Sequence, residues 1–222
     1  MLYIIAALTA LVSYLIGSIS GAVTISKTLY GDDVRKYGSN NAGATNMLRV
    51  YGKKAVLMTL VIDILKGIVA VGIGVLIDVV VKDNSAFSAF ESKYLLGSIK
   101  YIAGLFVILG HDYPIFFGFK GGKGVATSLG AVMMFDWRAG LIVLVAALVI
   151  MIMTKYVSLG SVIAAVIYPC ITIAFMIARH SLDIVHFIVS LLLALLIVCK
   201  HKENIERLKN GTENKLFSKK RG

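Results

Sequence analysis

Charged residues are scarce in this chain of 222 residues, making up 16% of it, whereas hydrophobic residues make up 58%. Soluble globular domains carry about 25% charged residues. The shortage excludes an ordinary soluble domain and predicts an integral membrane protein. Because one span takes about 20 apolar residues, seven spans would leave no room for a separate soluble domain. We therefore predict one membrane-embedded domain over residues 1–222, with residues 201–222 as a cytoplasmic C-terminal segment.

Cysteine is equally rare: Cys170 and Cys199 are the two present, and both lie in apolar segments. Two isolated cysteines support neither a disulfide framework nor a metal site. No grouping of His, Cys, Asp or Glu has the spacing of metal ligands, so we expect no metal and no other cofactor.

Acidic residues are outnumbered, with 12 Asp and Glu against 23 Lys and Arg, for a net charge of +11. Basic residues beside membrane spans are first explained by orientation and by anionic lipid or substrate headgroups. Nucleic acid is therefore not an expected partner, whereas the lipid bilayer is.

No Lys or Arg precedes Lys27, so the first apolar segment lacks the basic start of a cleaved signal peptide. We interpret it as a retained span with its N-terminus outside. The fourth span is short, and we expect it to begin back at the preceding glycines. The seven predicted spans are Leu2–Ser26, Lys54–Val81, Ile99–Phe119, Val125–Met134, Ala139–Met153, Leu159–Ala178 and Leu182–Cys199.

This topology distributes basic residues unevenly, with 17 Lys and Arg on one side and five on the other. The richer side receives the loop around Arg35, the GGKG segment, the turn 155–158 and the tail. The poorer side receives the loop 82–98 and the turns 136–138 and 179–181. The positive-inside rule puts the richer side in the cytoplasm. The fold class predicted is thus all-α and polytopic, in a cytoplasmic membrane, with the C-terminus inside.

Three polar segments interrupt the apolar sequence on that side. The first is Arg35–Arg49, the second is His111–Ser128 and the third is His201–Leu208. A turn between two helices needs only two to eight residues, so the first two are longer than a connection requires. We predict that the three segments meet at one membrane surface and form one site for anions.

The first polar segment contains GSNNAGATN, where glycines are mixed with hydroxyl and amide side chains that hydrogen-bond phosphates and hydroxyls. Arg35, Lys36 and Arg49 add positive charge, and a guanidinium suits bidentate phosphate binding. The alternative is a capped helix start with Ser39 or Asn40 as the N-cap. The candidate ligand-binding residues are Ser39, Asn41, Thr45, Asn46 and Arg49.

The second polar segment places Lys120 and Lys123 among Gly121, Gly122 and Gly124, directly before an apolar run. Glycines let backbone N–H groups approach phosphate oxygens, and the helix that follows points its positive end at them. The segment is not a Walker A loop, which needs Gly at position 117 and Ser or Thr at position 124. The alternative is a positively charged turn between spans.

The third polar segment begins with His201, which shares a helical face with Asn204. Histidine suits proton transfer near neutral pH; the alternative is a solvated basic tail. Ser158 and Ser161 start the sixth span, where they either donate hydroxyls to a ligand or cap the helix. His111 has either a structural or a site role.

Asp63 and Lys66 lie one turn apart inside the second span, where charges are costly and usually pair. We predict an ion pair facing the bundle interior near the site rather than direct contact with a substrate.

Five separated stretches occur in order: GSNNAGATNMLR, DILKG, GHDYPIFFGFKGGKGVAT, KYVSLGS and HKENIERLKNGTENK. Together they resemble the bacterial acyl-phosphate:glycerol-3-phosphate acyltransferases, the PlsY family. The resemblance implies seven helices and transfer of a fatty acyl group from acyl phosphate to the 1-hydroxyl of glycerol 3-phosphate. The products would be lysophosphatidate and phosphate. It also implies a partner enzyme that makes acyl phosphate.

The resemblance also implies residue roles. Glycerol 3-phosphate would be held by Ser39, Arg49, Lys120 or Lys123, Ser158 or Ser161, His201 and Asn204. Acyl phosphate would be held by Gly121, Gly122 and Gly124 with neighbouring hydroxyls, and the catalytic residues would be Ser39, His201 and Asn204. Asn40 stands where many members carry glycine, and asparagine tolerates left-handed backbone angles well.

Two mechanisms stay open. Either His201 is the general base on the acceptor hydroxyl, or the donor phosphate takes the proton while the protein positions and stabilises charge, which the resemblance favours. A different class of function, transport of an organic phosphate, would need a polar path across the membrane. The polar residues instead concentrate on the cytoplasmic side.

Overall fold

The computed structural model describes residues 1–82 and 97–216, and these residues contain helices and turns but no strand. The predicted loop 82–98 therefore lies almost wholly outside the described residues, as does the tail from residue 217. The chain divides into two compact units, Met1–Asp136 and Trp137–Gly222. The single domain stays a prediction.

Five segments of the described chain are long and apolar enough to cross a membrane: Leu2–Tyr30, Lys53–Lys82, Ile99–Phe117, Trp137–Thr154 and Val157–Ala178. A sixth is the pair Ile184–Lys200 and Lys202–Lys209, bent by 60°. Val125–Phe135 is apolar but has only 11 residues, and at 1.5 Å per residue it rises about half the thickness of the hydrocarbon core. The described residues thus have the all-helical, apolar architecture that the sequence predicts, and the count of seven spans stays a prediction.

The first unit is built around the longest helix. Helix α4 (Lys53–Lys82) packs against α5 (Ile99–Asp112) and α6 (Val125–Phe135), and α1 (Leu2–Gly17) packs against α5. Short 3₁₀ turns lie at Val34–Lys36 and Ile115–Phe117. The helix bounds are α1 Leu2–Gly17, α2 Gly21–Tyr30, α3 Ala44–Tyr51, α4 Lys53–Lys82, α5 Ile99–Asp112 and α6 Val125–Phe135.

Close helix crossings in this unit depend on glycine. A side chain at Gly17 of α1 would meet the backbone of Val107 in α5, and one at Gly67 of α4 would meet the backbone of Thr127 in α6. In lipid, where hydrophobic attraction between helices is weak, such small residues let backbones approach and pack.

Three predicted spans have different boundaries. The first is not one helix over Leu2–Ser26, because it breaks at residues 18–20, where Ser20 caps α2 by accepting a hydrogen bond from the Val23 N–H. The third ends as an α-helix at Asp112, two residues before Pro114, as expected because proline restricts the residue before it. The fourth begins at Val125 rather than at the glycines.

The second unit contains α7 Trp137–Thr154, α8 Val157–Ala178, α9 Ile184–Lys200 and α10 Lys202–Lys209. Helix α8 packs against α7 and α9. After α10 the chain turns back, and the N–H of Leu216 donates to the carbonyl of Lys155 at 2.7 Å. The segment 210–216 is thus anchored at the α7–α8 turn, so the alternative of a simple solvated tail is wrong for these residues.

Candidate active site

Asn46 shapes the first polar segment from inside. Its side chain is 1% exposed, and its Oδ1 accepts from the backbone N–H of Ser39 at 2.9 Å. Its Nδ2 lies 3.0–3.1 Å from the carbonyl oxygens of Val34, Tyr37 and Asn41. These bonds give Asn46 a structural role in the loop, in addition to its predicted role in ligand binding.

The outer side of the loop carries the exposed candidates Ser39 and Arg49. Asn40 has φ +55°, the left-handed conformation that its residue type tolerates. Helix α3 begins at Ala44 with Gly43 as its N-cap and no side-chain cap. The alternative that Ser39 or Asn40 caps this helix is therefore wrong. Asn41 and Thr45 are half-buried.

Arg35 joins the first polar segment to the second. Its Nε and Nη2 bind the two carboxylate oxygens of Asp33 at 3.0 and 2.7 Å. Its Nη1 donates to the carbonyls of Phe117 at 2.7 Å and Lys120 at 2.9 Å. The hydrogen bond from Arg35 lowers the pKa of Asp33 below its usual value. Sequence analysis identified Arg35 only as nearby charge, and it missed Asp33.

The glycines of the second polar segment lie against His111. The N–H of Gly122 donates to the His111 carbonyl at 3.1 Å. A side chain at Gly121 would overlap that carbonyl, and one at Gly122 would overlap the ring Nε2 and lie 3.1 Å from the carbonyl of Ala42. The first two polar segments therefore meet here. The close packing requires glycine at both positions, which a simple charged turn between spans would not.

The start of α6 has the features of an anion site. Gly124 is its N-cap, with φ +72°, so the positive end of the helix dipole faces the glycine-rich stretch. The buried carboxylate of Asp112 already lies beside this start, 3.1 Å from where a Cβ of Gly124 would sit. Lys120 is exposed and Lys123 is half-buried beside it. The hydroxyl of Thr127, in the first turn of α6, is buried without a hydrogen-bond partner.

The predicted ion pair inside the second span is confirmed. Lys66 Nζ lies 3.1 Å from Asp63 Oδ1, and both side chains are buried. Lys66 also lies 2.8 Å from Nδ1 of His111. The glycine-rich stretch packs against this buried group through His111.

Glu213 organises the second unit. Its Oε1 accepts from Ser158 Oγ at 2.9 Å and from Asn204 Nδ2 at 2.7 Å, and its Oε2 accepts from Arg207 Nε at 2.8 Å. Burial raises the pKa of Glu213, but the hydrogen bonds from Arg207, Asn204 and Ser158 outweigh it and hold the pKa below its usual value. Sequence analysis missed Glu213, although it lies in the matching stretch NGTENK.

The remaining candidates of this unit are buried. His201 lies at the α9–α10 bend, with its Nδ1 2.8 Å from the carbonyl of Ile197. Ser161 donates to the carbonyl of Val157 at 3.0 Å. Tyr156 is the N-cap of α8, so neither Ser158 nor Ser161 caps that helix. Over residues 1–82 and 97–216, no cluster of three or more His, Cys, Asp or Glu has the arrangement of a metal site.

Curated relatives match this chain over nearly its full length. A glycerol-3-phosphate acyltransferase from Thermoanaerobacter sp. (strain X514) is 43% identical over 215 residues, covering 96% of this chain and 97% of the relative. One from Finegoldia magna is 41% identical over 217 residues, covering 96% and 98%.

Two crystal structures are also similar. One is of PlsY (YgiH), an integral membrane glycerol 3-phosphate acyltransferase, in its glycerol 3-phosphate form; it has a TM-score of 0.78 and 34% identity, with 95% of each chain covered. Its lysophosphatidic acid form has a TM-score of 0.75 and 33% identity, covering 95% of this chain and 94% of the other.

Residues 7–211 match the sequence model of the family Glycerol-3-phosphate acyltransferase. With the relatives and the two crystal structures, this match establishes that the chain is a multi-pass membrane acyltransferase and belongs to the glycerol-3-phosphate acyltransferase family.

Proposed function

We propose that this chain transfers a fatty acyl group from acyl phosphate to the 1-hydroxyl of glycerol 3-phosphate, in the cytoplasmic membrane of a bacterium. The products are lysophosphatidate and inorganic phosphate, and the step is the first acylation of phospholipid synthesis. The observation that carries the proposal is the junction of two polar segments through Arg35, beside the glycine N-cap of α6. The relative solved with glycerol 3-phosphate supports the acceptor.

The acyl phosphate group is proposed to lie against Gly121, Gly122 and Gly124. Backbone N–H groups at a helix start bind anions without further charge, and Lys120 and Lys123 add two cations beside them. A membrane site suits this donor, because its acyl chain can stay in lipid while its phosphate reaches the polar segment.

Glycerol 3-phosphate is proposed to be held by Ser39, Arg49, Lys120 or Lys123, Ser158 or Ser161, His201 and Asn204. Asn41, Thr45 and Asn46 line or shape the first polar segment. Ser158 has one hydroxyl hydrogen, which it donates to the ionised Glu213. It can therefore only accept a further hydrogen bond, which favours a glycerol hydroxyl over a phosphate oxygen as its partner.

Neither a metal nor a covalent enzyme intermediate is needed, because acyl phosphate is a mixed anhydride and already activated. The donor phosphate takes the proton of the attacking hydroxyl, while the protein positions both substrates and stabilises charge. His201 is the competing base: with Nδ1 donating to Ile197, Nε2 is its basic nitrogen. A partner enzyme that forms acyl phosphate supplies the donor.

The proposed topology has seven spans in a single domain, with the N-terminus outside and the C-terminus in the cytoplasm. It counts the short helix Val125–Phe135 as a span. The asymmetry of 17 against five basic residues supports the orientation. It brings the three polar segments to one membrane face.

The test uses purified protein in detergent with palmitoyl phosphate and glycerol 3-phosphate, without CoA and with EDTA present. Equal amounts of phosphate and lysophosphatidate are expected, with the same rate when EDTA is left out. Palmitoyl-CoA in place of palmitoyl phosphate is the matched control and is expected to give no product. A folded protein that works only with the CoA ester would overturn the proposed donor, and one that binds glycerol 3-phosphate without turnover would favour transport.

A further inference from the structure

The break between α1 and α2 leaves backbone carbonyls without helical partners inside the first unit. Helix α1 ends at Gly17 and α2 begins at Gly21. Lys66 Nζ donates to the carbonyls of Gly17 and Ile19, both at 2.9 Å. Asp63 Oδ1 accepts from the Gly21 N–H at 3.4 Å. Lys66 and Asp63 of α4 thus provide hydrogen-bond partners for the backbone on both sides of the break.

His111 is the next member of this buried group. Its Nδ1 lies 2.8 Å from Lys66 Nζ. An ammonium has hydrogens to donate and no lone pair to accept with, so Nδ1 accepts and the ring hydrogen sits on Nε2. Asp63 Oδ1 lies 3.6 Å from the same ring nitrogen, so Lys66 and its paired carboxylate hold this edge of the ring in one orientation.

The other edge of the same ring meets the glycine-rich stretch. Nε2 occupies the space that a side chain at Gly122 would need. The N–H of Gly122 is bound to the His111 carbonyl, so this residue contacts both the ring and the backbone of His111. Arg35 holds the same stretch two residues earlier, at the Lys120 carbonyl.

We propose that His111 is a positioning residue for the glycine-rich stretch 120–124, with Lys66 fixing its ring. Rotation of the ring would change the support under Gly122 and shift the N–H groups that precede α6. A substrate phosphate bound by these N–H groups would then lose contacts. Because such contacts stabilise the ground state and the transition state equally, their loss raises KM more than it lowers kcat. This inference rests on the proposed binding of acyl phosphate by that stretch.

Two variants of His111 separate the contacts. Asparagine places an amide near the position of Nδ1, and glutamine places one near the position of Nε2. His111→Asn keeps an acceptor for Lys66, so its thermal unfolding in detergent is expected to match the parent. It removes the ring atom under Gly122, so the KM for palmitoyl phosphate is expected to rise about fivefold or more, with kcat changed less than about twofold.

His111→Gln is expected to show the reverse pattern, with a lower unfolding midpoint and a KM nearer that of the parent. The matched control is His186→Asn, because Nε2 of His186 makes a similar contact of 2.9 Å with the Tyr168 hydroxyl in the second unit. It is expected to leave both kinetic constants unchanged.

A His111→Asn protein with the parental KM overturns the proposal. The proposal also fails if both variants lose activity only to the extent that they lose folded protein. If the parent does not turn over palmitoyl phosphate, the proposed function fails separately. Calorimetric binding of inorganic phosphate then decides: weaker binding by His111→Asn supports the positioning role, and equal or absent binding in both proteins ends it.

Discussion

The two units each bury a charge, but they compensate it in opposite ways. In the first unit the cation of Lys66 is met by backbone carbonyls and by Asp63 on the same helix. In the second unit the anion of Glu213 is met by three side chains, one from α8 and two from α10. The first arrangement uses none of the predicted substrate-binding side chains, whereas the second uses Ser158 and Asn204.

This difference bears on what each candidate can do. Ser39, Arg49 and Lys120 are exposed in the first unit, so a ligand can reach them from outside the protein. Ser158 and Asn204 are buried and already oriented by Glu213. We infer that the second unit offers donors and acceptors in fixed directions, and that the first offers charge and hydroxyls at an open surface.

The largest effect is expected from Lys66→Met. It leaves the Asp63 carboxylate buried without its cation, and breaking a buried pair costs roughly 3–5 kcal/mol. The matched control is the double variant Asp63→Asn with Lys66→Met, which removes both charges and is expected to recover only part of the lost stability, because the carbonyls of Gly17 and Ile19 lose their donor in both variants. Thermal unfolding in detergent measures both, and a single variant as stable as the double contradicts the pairing.

A smaller effect is expected from Gly122→Ala, because the new methyl group overlaps the His111 ring. Overpacking of this kind costs about 1–3 kcal/mol of folding free energy. In a His111→Ala background the cost is expected to fall, since the ring is gone. Gly121→Ala is the control: it meets the His111 carbonyl, which persists in that background, so its cost does not fall. If the His111→Ala background lowers the cost of both substitutions by the same amount, the contact between Gly122 and the ring is excluded.

The sequence predicts the polar centre of the first unit better than that of the second. Asp63 and Lys66 are charges inside an apolar run, and the cost of such charges in a membrane implies pairing. Glu213 lies in a polar stretch, where an acidic residue is ordinary and does not indicate a buried partner. Its partners depend on the chain turning back to Lys155. The break after Gly17 was missed because an apolar run indicates a span but not its continuity as a helix.

Glu213→Gln tests the second centre through pH. Because the pKa of Glu213 is lowered on folding, its ionised form adds stability above its usual pKa near 4.5, and this is lost as pH falls through the lower folded value. The variant is expected to be about 1.5 kcal/mol less stable than the parent at pH 7, with the difference shrinking below about pH 4.5.

The control for this prediction is Glu203→Gln, whose carboxylate also faces Arg207 but is 84% exposed. It is expected to change stability little at any pH, because exposed ion pairs contribute little. A stability difference between parent and Glu213→Gln that stays constant from pH 7 to pH 3 contradicts the assignment.

The smallest effect is expected at Asn40, whose φ of +55° suits asparagine or glycine. Asn40→Val, with a branched side chain, is expected to lose about 1 kcal/mol of stability from left-handed strain. Asn40→Gly, the matched change, is expected to unfold within a few degrees of the parent. Similar losses in both variants would show that the side chain matters more than the backbone angle.

The most direct test of the account is kcat/KM of Ser39→Ala with palmitoyl phosphate and glycerol 3-phosphate, measured beside its unfolding midpoint. Thr28→Ala, which removes another exposed hydroxyl of the first unit, is the control. The account predicts a loss of about tenfold or more for Ser39→Ala, the equivalent of one hydrogen bond to a charged group, with the unfolding midpoint unchanged. Parental kcat/KM in Ser39→Ala would contradict a site at this loop.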